Sequence, residues 1–204
     1  MLACLVDNPA EVRRGQMDWW ARDFDNWALC DGCCLHLFAR VPFARDRAAV
    51  WSSRRQEFVR RAGFFLMAVL AVHDKRASDA LFVEWLQLIA EAATDNRNFV
   101  KKAVNWALRQ IGKRNRRLNR AAIRTAKAIW KFDSASARWI AADALRELAG
   151  DAVQRRLNRK EPAATREVSP RAATLHEENL LSAGSYREAR EPTVGRRPEA
   201  PRSP

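Results

Sequence analysis

Apolar residues recur every three to four positions along most of this 204-residue chain, and no segment convincingly alternates apolar with polar residues. The first pattern is that of amphipathic α-helices, whereas the second would indicate strands. Only seven glycines occur, and the breaks between the periodic segments carry residues that start helices. The sequence therefore predicts an all-α fold.

The predicted helices are joined by short connections, which makes consecutive helices antiparallel. Their starts follow from Ser, Asp and Asn caps and from a proline at one first turn. They cover residues 16–22, 26–39, 42–52, 56–73, 78–93, 95–113, 118–132, 136–148 and 151–159. Two such helices span on the order of 40 residues, which is typical of HEAT-like repeats. We expect a right-handed α-solenoid of antiparallel HEAT-like helix pairs, with a compact irregular bundle as the alternative.

The composition changes near residue 160. Six of the eight prolines fall in residues 160–204, where bulky apolar residues do not recur at a fixed period. Such a segment cannot bury enough apolar surface to offset the entropy cost of ordering it. We therefore predict a HEAT-like helical repeat domain at residues 1–159 and a disordered Pro/Arg/Glu-rich tail at residues 160–204.

The positive charge belongs to the predicted folded domain. Eight basic and seven acidic residues nearly cancel in the tail, so +12 of the net charge of +13 falls on residues 1–159. A basic domain favours a polyanion, either nucleic acid or an anionic membrane surface. No run approaches the ~20 apolar residues of a membrane span, and the N-terminus lacks a signal peptide. We expect a cytoplasmic protein with four free thiols.

Residues 96–132 contain twelve basic side chains and no acidic one. Five of them are spaced by three, four, three and four residues. This spacing places on one stripe of a helix Arg117, Arg120, Arg124, Lys127 and Lys131. Like charges at these spacings weaken a helix, so the unbroken stripe indicates an anionic partner, although an ordinary solvated face is the alternative. Phosphate contacts of this kind carry no sequence information and weaken steeply with salt.

The preceding helix places an aromatic side chain among cations. Trp106 falls just outside the apolar half of this helix, and its helical neighbours are Lys102, Arg109 and Lys113. A tryptophan in this setting either contacts a base or sugar once the backbone is held or packs against the next helix. We expect this helix and the neighbouring stripe to form one basic, nucleic-acid-binding surface.

Two ionisable residues stand in apolar surroundings. Asp31 shares a helix face with Trp27, four residues earlier, and a carboxylate among small apolar residues is costly unless it is paired or exposed in a cleft. Arg61 begins a helix that is apolar almost all round, so its guanidinium must reach a groove or pair with an acid. Glu57 is the local candidate for that acid. The alternative for each residue is a purely structural role, in which its charge is paired or hydrogen-bonded within the fold.

Cys30, Cys33, Cys34 and His36 are close enough in sequence to suggest a zinc site. On a helix, however, the histidine points away from the cysteines, and no second pair of ligands follows. We predict small buried residues here, with neither a metal nor a cofactor. The sequence also lacks a glycine-rich nucleotide loop and the usual hydrolase and deaminase patterns.

Three segments together resemble the AlkD-like HEAT-repeat family of DNA alkylation-repair glycosylases. Phe99–Lys113 (FVKKAVNWALRQIGK) resembles the signature helix of that family, Phe58–Ala62 its Arg-containing helix start, and Trp27–Asp31 its Trp-x-x-x-Asp segment. The segments occur in the family's order at similar separations. The resemblance covers about residues 23–159.

The resemblance implies a monofunctional glycosylase that excises cationic alkylated purines, such as 7-methylguanine and 3-methyladenine, from double-stranded DNA. It implies that Trp27, Trp106 and Asp31 are the catalytic residues against the deoxyribose. Asp31 would stabilise the oxocarbenium-like sugar and help place the attacking water, and the tryptophan faces would support the same cation. Arg61 would hold a backbone phosphate. The expected protein is a monomer, associated with the nucleoid when it is bound to DNA.

One departure concerns the N-terminus. Members of the family usually carry several dozen further residues before the Trp-x-x-x-Asp segment, and residues 1–16 cannot supply those helices. We therefore expect the N-terminal repeats to be missing, which exposes an apolar helix face and shortens the binding groove. Two alternatives to catalysis follow: a non-catalytic HEAT-like module that binds DNA or RNA, and an inactive truncated family member that does not fold alone.

Overall fold

The computed structural model describes residues 2–160, and every regular element in this range is a helix. The helices are α1 (Ala3–Val6), α2 (Arg14–Arg22), α3 (Trp27–His36), α4 (Ala44–Ser52), α5 (Glu57–His73), α6 (Asp79–Ala92), α7 (Asn98–Gly112), α8 (Arg116–Ile129), α9 (Ala135–Leu148) and α10 (Asp151–Lys160). The predicted all-α class is confirmed. The predicted disordered tail lies outside the described residues from residue 161 onward.

The helices form two layers. In the first layer α3, α5, α7 and α9 pack side by side in chain order, and α4, α6 and α8 form the second layer behind them. Each second-layer helix also packs against the next helix of the chain, α4 on α5, α6 on α7 and α8 on α9. This stacking of helix pairs is the arrangement of HEAT-like repeats. It confirms the repeat architecture that the helical periodicity predicts.

Side-chain caps fix several helix starts. Asn26, Asn115 and Ser134 each accept a hydrogen bond from the backbone N–H three residues later, at 2.9, 2.8 and 3.3 Å. Such caps satisfy amide groups that have no partner within the helix. Because Asn115 is the cap, α8 begins at Arg116, two residues before the predicted start.

The end of α3 differs from the prediction. The helix stops at His36, Leu37 leaves the helical region with φ of −120°, and Phe38–Arg40 forms a 3-10 turn. Phe38 is fully buried, and its ring centre lies 5.8 Å from that of Trp51. Burial of this ring against α4 holds the turn, and α4 begins two residues later than predicted.

α5 is the central helix of the described domain. It is buried along most of its length and packs against α3, α4 and α7. At Gly63, a Cβ atom would lie 2.5 Å from the backbone N of Ser52 and 2.8 Å from the carbonyl carbon of Trp51. The glycine therefore permits the close approach of α4. Within the described residues, no helix has the length and apolar content to cross a membrane.

Arg114 shows that not every cation of the basic segment is available to a partner. Its guanidinium donates to the carbonyl oxygens of Ala71, Asp74 and Ala77 at 2.9, 2.7 and 3.2 Å. It also lies 4.6 Å from the ring centre of Phe82. Carbonyls at and beyond a helix C-terminus lack intrahelical donors, so Arg114 joins the end of α5 to the α7–α8 connection.

Candidate functional site

An ion pair between Arg61 and Asp31 joins α5 to α3 in the first layer. Nε and Nη2 of Arg61 donate to Oδ1 and Oδ2 of Asp31 at 2.9 and 2.6 Å. The two side chains are only 10% and 18% exposed. A two-point contact of this kind is strong and fixes the orientation of both groups. The acid that pairs with Arg61 is therefore Asp31 on α3, and not the nearby Glu57.

Two further contacts hold the guanidinium of Arg61. Nη1 donates to the carbonyl oxygen of Phe99 at 2.8 Å. The guanidinium carbon also lies 5.9 Å from the ring centre of Phe65 and 6.0 Å from that of Phe99, where the ring quadrupoles attract a cation. Arg61 thus links α3, α5 and α7, and three of its five N–H donors are engaged.

Trp106 joins this cluster through Phe65. The two ring centres are 4.6 Å apart, and the ring planes are inclined by 56°. Tilted aromatic pairs at such distances stabilise beyond the area they bury. Trp106 is partly buried, so it packs against α5 and still presents part of its ring. The structure therefore brings together Asp31, Arg61 and Trp106 from three consecutive first-layer helices.

Trp27 is positioned differently from the other three site candidates. It is the first residue of α3, one turn before Asp31, and it is 54% exposed. The cap at Asn26 fixes this turn, because its side chain accepts the N–H of Leu29. An exposed indole one turn from a recessed carboxylate gives a ligand a flat surface beside a charge.

The environment of Asp31 acts on its carboxyl in two directions. Burial raises the pKa of Asp31, and the hydrogen bonds and charge of Arg61 oppose this, so the pKa remains above its usual value. An ionised carboxylate offers about four lone-pair sites, and Arg61 occupies two of them. Asp31 can therefore still accept a hydrogen bond from water or a ligand.

The cations predicted beside Trp106 are not equally available to an anionic ligand. Lys102 is exposed. Glu147 of α9, however, contacts Nη1 of Arg109 at 2.7 Å and Nζ of Lys113 at 2.6 Å. Asp143 lies 3.3 Å from the same Nη1. Burial raises the pKa of Glu147, but Lys113 and Arg109 outweigh it and hold that pKa below its usual value. Roles of Arg109 and Lys113 in DNA binding stay predictions.

The predicted stripe on α8 is fully solvent-facing. Exposed side chains are found at all five positions, Arg117, Arg120, Arg124, Lys127 and Lys131. No ion pair involving these five side chains occurs in the part of the chain that the structure describes. Four of these uncompensated charges lie along α8, whereas Lys131 follows the end of the helix at Ile129. The prediction that this helix continues to residue 132 is therefore wrong.

The expectation of one continuous basic surface is wrong. α7 buries Val104 and Leu108 on the side opposite to Trp106, and α8 buries Leu118 and Ala122 on the side opposite to its stripe. Because α7 and α8 belong to different layers and pack against each other, their exposed faces point away from each other. The stripe and the Asp31 cluster consequently lie on opposite sides of the two-layer domain. Sequence alone could not assign the layers.

One pair beside the site was not anticipated. Nζ of Lys101 lies 5.1 Å from the ring centre of Trp139, and Trp139 is 42% exposed. The two residues are 38 positions apart, and no local spacing joins them. They place another cation and another exposed indole on the first layer, on α7 and α9.

The cysteines near Asp31 are sealed in the core. Cys30, Cys33 and Cys34 are buried, whereas His36 is exposed. Burial, together with the neighbouring Cys4, raises the pKa of Cys33 to about 12, and burial also raises the pKa of Cys34. Thiols in this state are poor nucleophiles and poor metal ligands. In residues 2–160, no group of three His, Cys, Asp or Glu side chains is arranged to hold a metal ion.

The sequence profile of a family described as DNA alkylation repair enzyme matches residues 2–148. This range contains every helix of the first layer and the whole Asp31 cluster. No curated protein sequence matches the chain.

Among solved structures, one from "a new family of proteins related to the HEAT-like repeat DNA glycosylases with affinity for branched DNA structures" has a similar fold. The TM-score is 0.55 at 17% sequence identity. The alignment covers 70% of this chain and 66% of that one, so this chain spans slightly under two thirds of that protein. At such low identity the likeness concerns the HEAT-like fold alone.

Proposed function

This chain belongs to the DNA alkylation repair enzyme family, and from that premise we propose that it is a monofunctional DNA glycosylase. Its substrates are cationic alkylated purines, of the 7-methylguanine and 3-methyladenine type, in double-stranded DNA. The reaction is hydrolysis of the N-glycosidic bond. The observation that supports this proposal best is the recessed carboxylate of Asp31, held by Arg61 in one cluster with Trp106.

Hydrolysis of the N-glycosidic bond requires a fixed negative charge near the sugar. When the C1′–N bond breaks, its electron pair leaves with the base, and positive charge develops on the deoxyribose. Asp31 stabilises that charge from a partly desolvated position, where electrostatic interactions are stronger than in water. Because the substrate base is already cationic, it departs as a neutral molecule and no proton donor is needed.

Asp31 also acts on the attacking water. The oxygen of this water forms the new bond to C1′, and its proton passes to the Asp31 carboxylate. Arg61 occupies two of the roughly four lone-pair sites of the carboxylate, and Cys30 also contributes a hydrogen bond. The raised pKa of Asp31 favours acceptance of the proton. Trp27 and Trp106 place their electron-rich faces beside the sugar and support its positive charge.

Arg61 is a positioning residue in this proposal. It orients both oxygens of Asp31 and partly offsets the rise in the pKa of that carboxyl caused by burial. Its two remaining N–H groups provide the contact to a backbone phosphate. A guanidinium already fixed by Asp31 and by the Phe99 carbonyl oxygen loses little further entropy on binding that phosphate.

The DNA backbone lies along the first layer. Lys102 is exposed beside Trp106, and Lys101 with Trp139 extends the surface toward α9. Arg109 and Lys113 join the phosphate contacts when DNA competes with Glu147 for them. We further propose that the protein acts as a monomer on DNA in the cytoplasm.

A second candidate is a non-catalytic nucleic-acid-binding module. The charge of Asp31 is matched by Arg61, and those of Arg109 and Lys113 are shared with Glu147. A group of uncompensated cations lies instead on α8, on the opposite side. Such a module would bind DNA or RNA in a salt-dependent manner and would be insensitive to changes at Asp31 or Trp106.

Release of free bases distinguishes the two candidates. Duplex DNA methylated with dimethyl sulfate is incubated with the wild-type protein or with Asp31→Asn, and free methylpurines are measured by chromatography. We expect release by the wild type and at least ~100-fold slower release by the variant, because an electrostatic group at developing charge contributes this much. Thermal melts establish that both proteins fold.

Three outcomes contradict the glycosylase. Absence of release with retained, salt-dependent binding supports the binding module. Equal release by wild type and variant removes Asp31 from the mechanism. A broad, non-cooperative melt of the wild type supports a chain that does not fold alone.

A further inference from the structure

The second layer carries a basic surface that the proposed glycosylase does not use. We name five exposed cations the α8 stripe. They are Arg117, Arg120, Arg124 and Lys127 on α8, and Lys131 two residues after the helix ends. At 1.5 Å per residue, the part of the stripe on α8, from Arg117 to Lys127, extends over about 15 Å. Three more exposed cations lie on α10, namely Arg155, Arg156 and Arg159, and Arg156 donates to the carbonyl oxygen of Lys113 at 2.9 Å.

α10 is joined to the first turns of α8. Gln154 donates to Oδ1 of Asn119 at 3.1 Å, and Arg116 donates to Asn158. Residues 155 and 159 are one helical turn apart, so their side chains share a face. These contacts place the exposed arginines of α10 close to the start of α8.

The charges of the α8 stripe are not compensated by neighbours. In the first layer, by contrast, the acidic side chains of Asp31, Asp143 and Glu147 each form an ion pair with an arginine or a lysine. On the next second-layer helix, Glu84 and Glu91 are exposed, and neither pairs with the stripe within residues 2–160. Repulsion at these spacings weakens the helix, so the arrangement favours a ligand that supplies the negative charge.

We propose that the α8 stripe, with Arg155 and Arg159, binds the phosphate backbone of a second DNA duplex, so that one protein molecule holds two duplex segments on its opposite faces. This site is independent of base release, and it carries no sequence or lesion preference because phosphate contacts carry none.

The chemistry of the surface favours a duplex over other anionic partners. Cations repeated every three to four residues along about 15 Å of helix match a uniform line of phosphates, which recur every ~1.7 Å of duplex axis. An acidic protein would need an apolar centre to its interface, and a membrane would need apolar side chains along the helix. The large exposed apolar residues near the stripe, Trp130 and Phe132, stand only at its end.

A bridging experiment tests the second site. A biotinylated duplex is fixed to beads and incubated with the protein and a separate fluorescent duplex. The beads retain the fluorescent duplex only if the protein binds both duplexes in one complex. The stripe variant is Arg120→Gln/Arg124→Gln/Lys127→Gln. The control variant, Arg40→Gln/Arg54→Gln/Arg76→Gln, removes the same charge from exposed arginines whose side chains form no ion pair in the described residues.

We expect the wild type and the control variant to capture the fluorescent duplex, and the stripe variant to lose at least about tenfold of the capture. The stripe variant should still bind a single duplex and release methylpurines at the wild-type rate. Analytical ultracentrifugation should find one protein molecule with two duplexes in the bridged particle.

Several results overturn this proposal. The proposal is wrong if the stripe variant bridges the two duplexes as well as the wild type does. It is also wrong if the bridged complex contains two protein molecules. Equal loss of bridging and of single-duplex binding shows that only one surface exists. Stripe-dependent flotation with phosphatidylglycerol vesicles, without capture of a second duplex, assigns the stripe to a membrane. Failure of base release with intact bridging overturns the glycosylase alone.

Discussion

The guanidinium of Arg61 occupies one side of the Asp31 carboxylate with two hydrogen bonds, and it leaves the other lone pairs open. The residues are 30 positions apart, and the pair joins the helices of two successive repeats. It makes Asp31 at once a buried structural charge and the strongest candidate for a catalytic one. The first two predictions separate these roles.

Arg61→Gln should move the acidic limb of the rate profile to higher pH. The active form of Asp31 is the carboxylate, so the rate of base release rises with pH through its pKa. The hydrogen bonds and charge of Arg61 lower that pKa, and their removal raises it further. Single-turnover release between pH 5 and 9 measures the shift, and Arg61→Lys, which keeps the charge, should shift less. An unchanged limb with a uniformly lower rate would indicate a purely structural role.

Asp31→Asn should lower the free energy of unfolding by about 2–3 kcal/mol. Breaking a fully buried pair costs about 3–5 kcal/mol because a charge stays buried and unpaired, and the side chains here are 10% and 18% exposed. The double variant Asp31→Asn/Arg61→Gln removes both charges and should recover part of the loss. Urea unfolding measures both variants. Equal or greater loss in the double variant is incompatible with an electrostatic origin.

Gly63→Ala should destabilise the domain by about 2–3 kcal/mol. The added Cβ would meet backbone atoms of Ser52, Trp51 and Ala48 at 2.5 to 2.9 Å, and overpacking of this kind costs about 1–3 kcal/mol. Gly15→Ala is the matched control, because nothing lies within 4 Å of its Cβ position. Thermal unfolding of both variants checks this. A melting temperature of Gly63→Ala equal to that of the control would mean that α4 and α5 are farther apart.

The stripe variant Arg120→Gln/Arg124→Gln/Lys127→Gln should be more stable than the wild type without DNA. It removes four like-charge pairs at helical spacing, each of which costs about 0.2–0.5 kcal/mol at low salt. We expect a gain of about 1 kcal/mol in 20 mM salt that vanishes above about 0.5 M, where screening is strong. Urea unfolding at the two salt concentrations tests it. Destabilisation at low salt would show that the stripe stabilises the fold.

Local signals made the helices predictable. Asn26 and Asn115 stand beside the first turns that they cap, so the sequence reveals them directly. The partner of Arg61 was not predictable in the same way. Glu57 is one turn away in sequence, whereas Asp31 becomes a neighbour only when α3 packs against α5. Burial of an arginine can be inferred from its apolar neighbours, but its partner depends on tertiary packing.

The assignment of each helix to a layer was the other feature that could not be predicted from the sequence. Helical spacing correctly placed Arg117, Arg120, Arg124 and Lys127 on one exposed face of α8, but Lys131 lies beyond the end of that helix. Helical spacing also placed Trp106 beside the apolar arc of α7. It could not show that these faces point in opposite directions, because this depends on which helices share a layer. Nor could it show that Glu147, 38 residues after Arg109, shares the charge of that arginine.

The central claim is that the first-layer cluster releases alkylated bases, and a comparison of two exposed tryptophans tests it most directly. Trp27 is 54% exposed beside Asp31, and Trp19 is 61% exposed on α2. Replacement of either by alanine should change stability little, because each ring buries limited area. Single-turnover release from methylated duplex should fall at least about tenfold for Trp27→Ala and stay unchanged for Trp19→Ala. Equal rates for Trp27→Ala and the wild type, or no release by the wild type, would contradict the account.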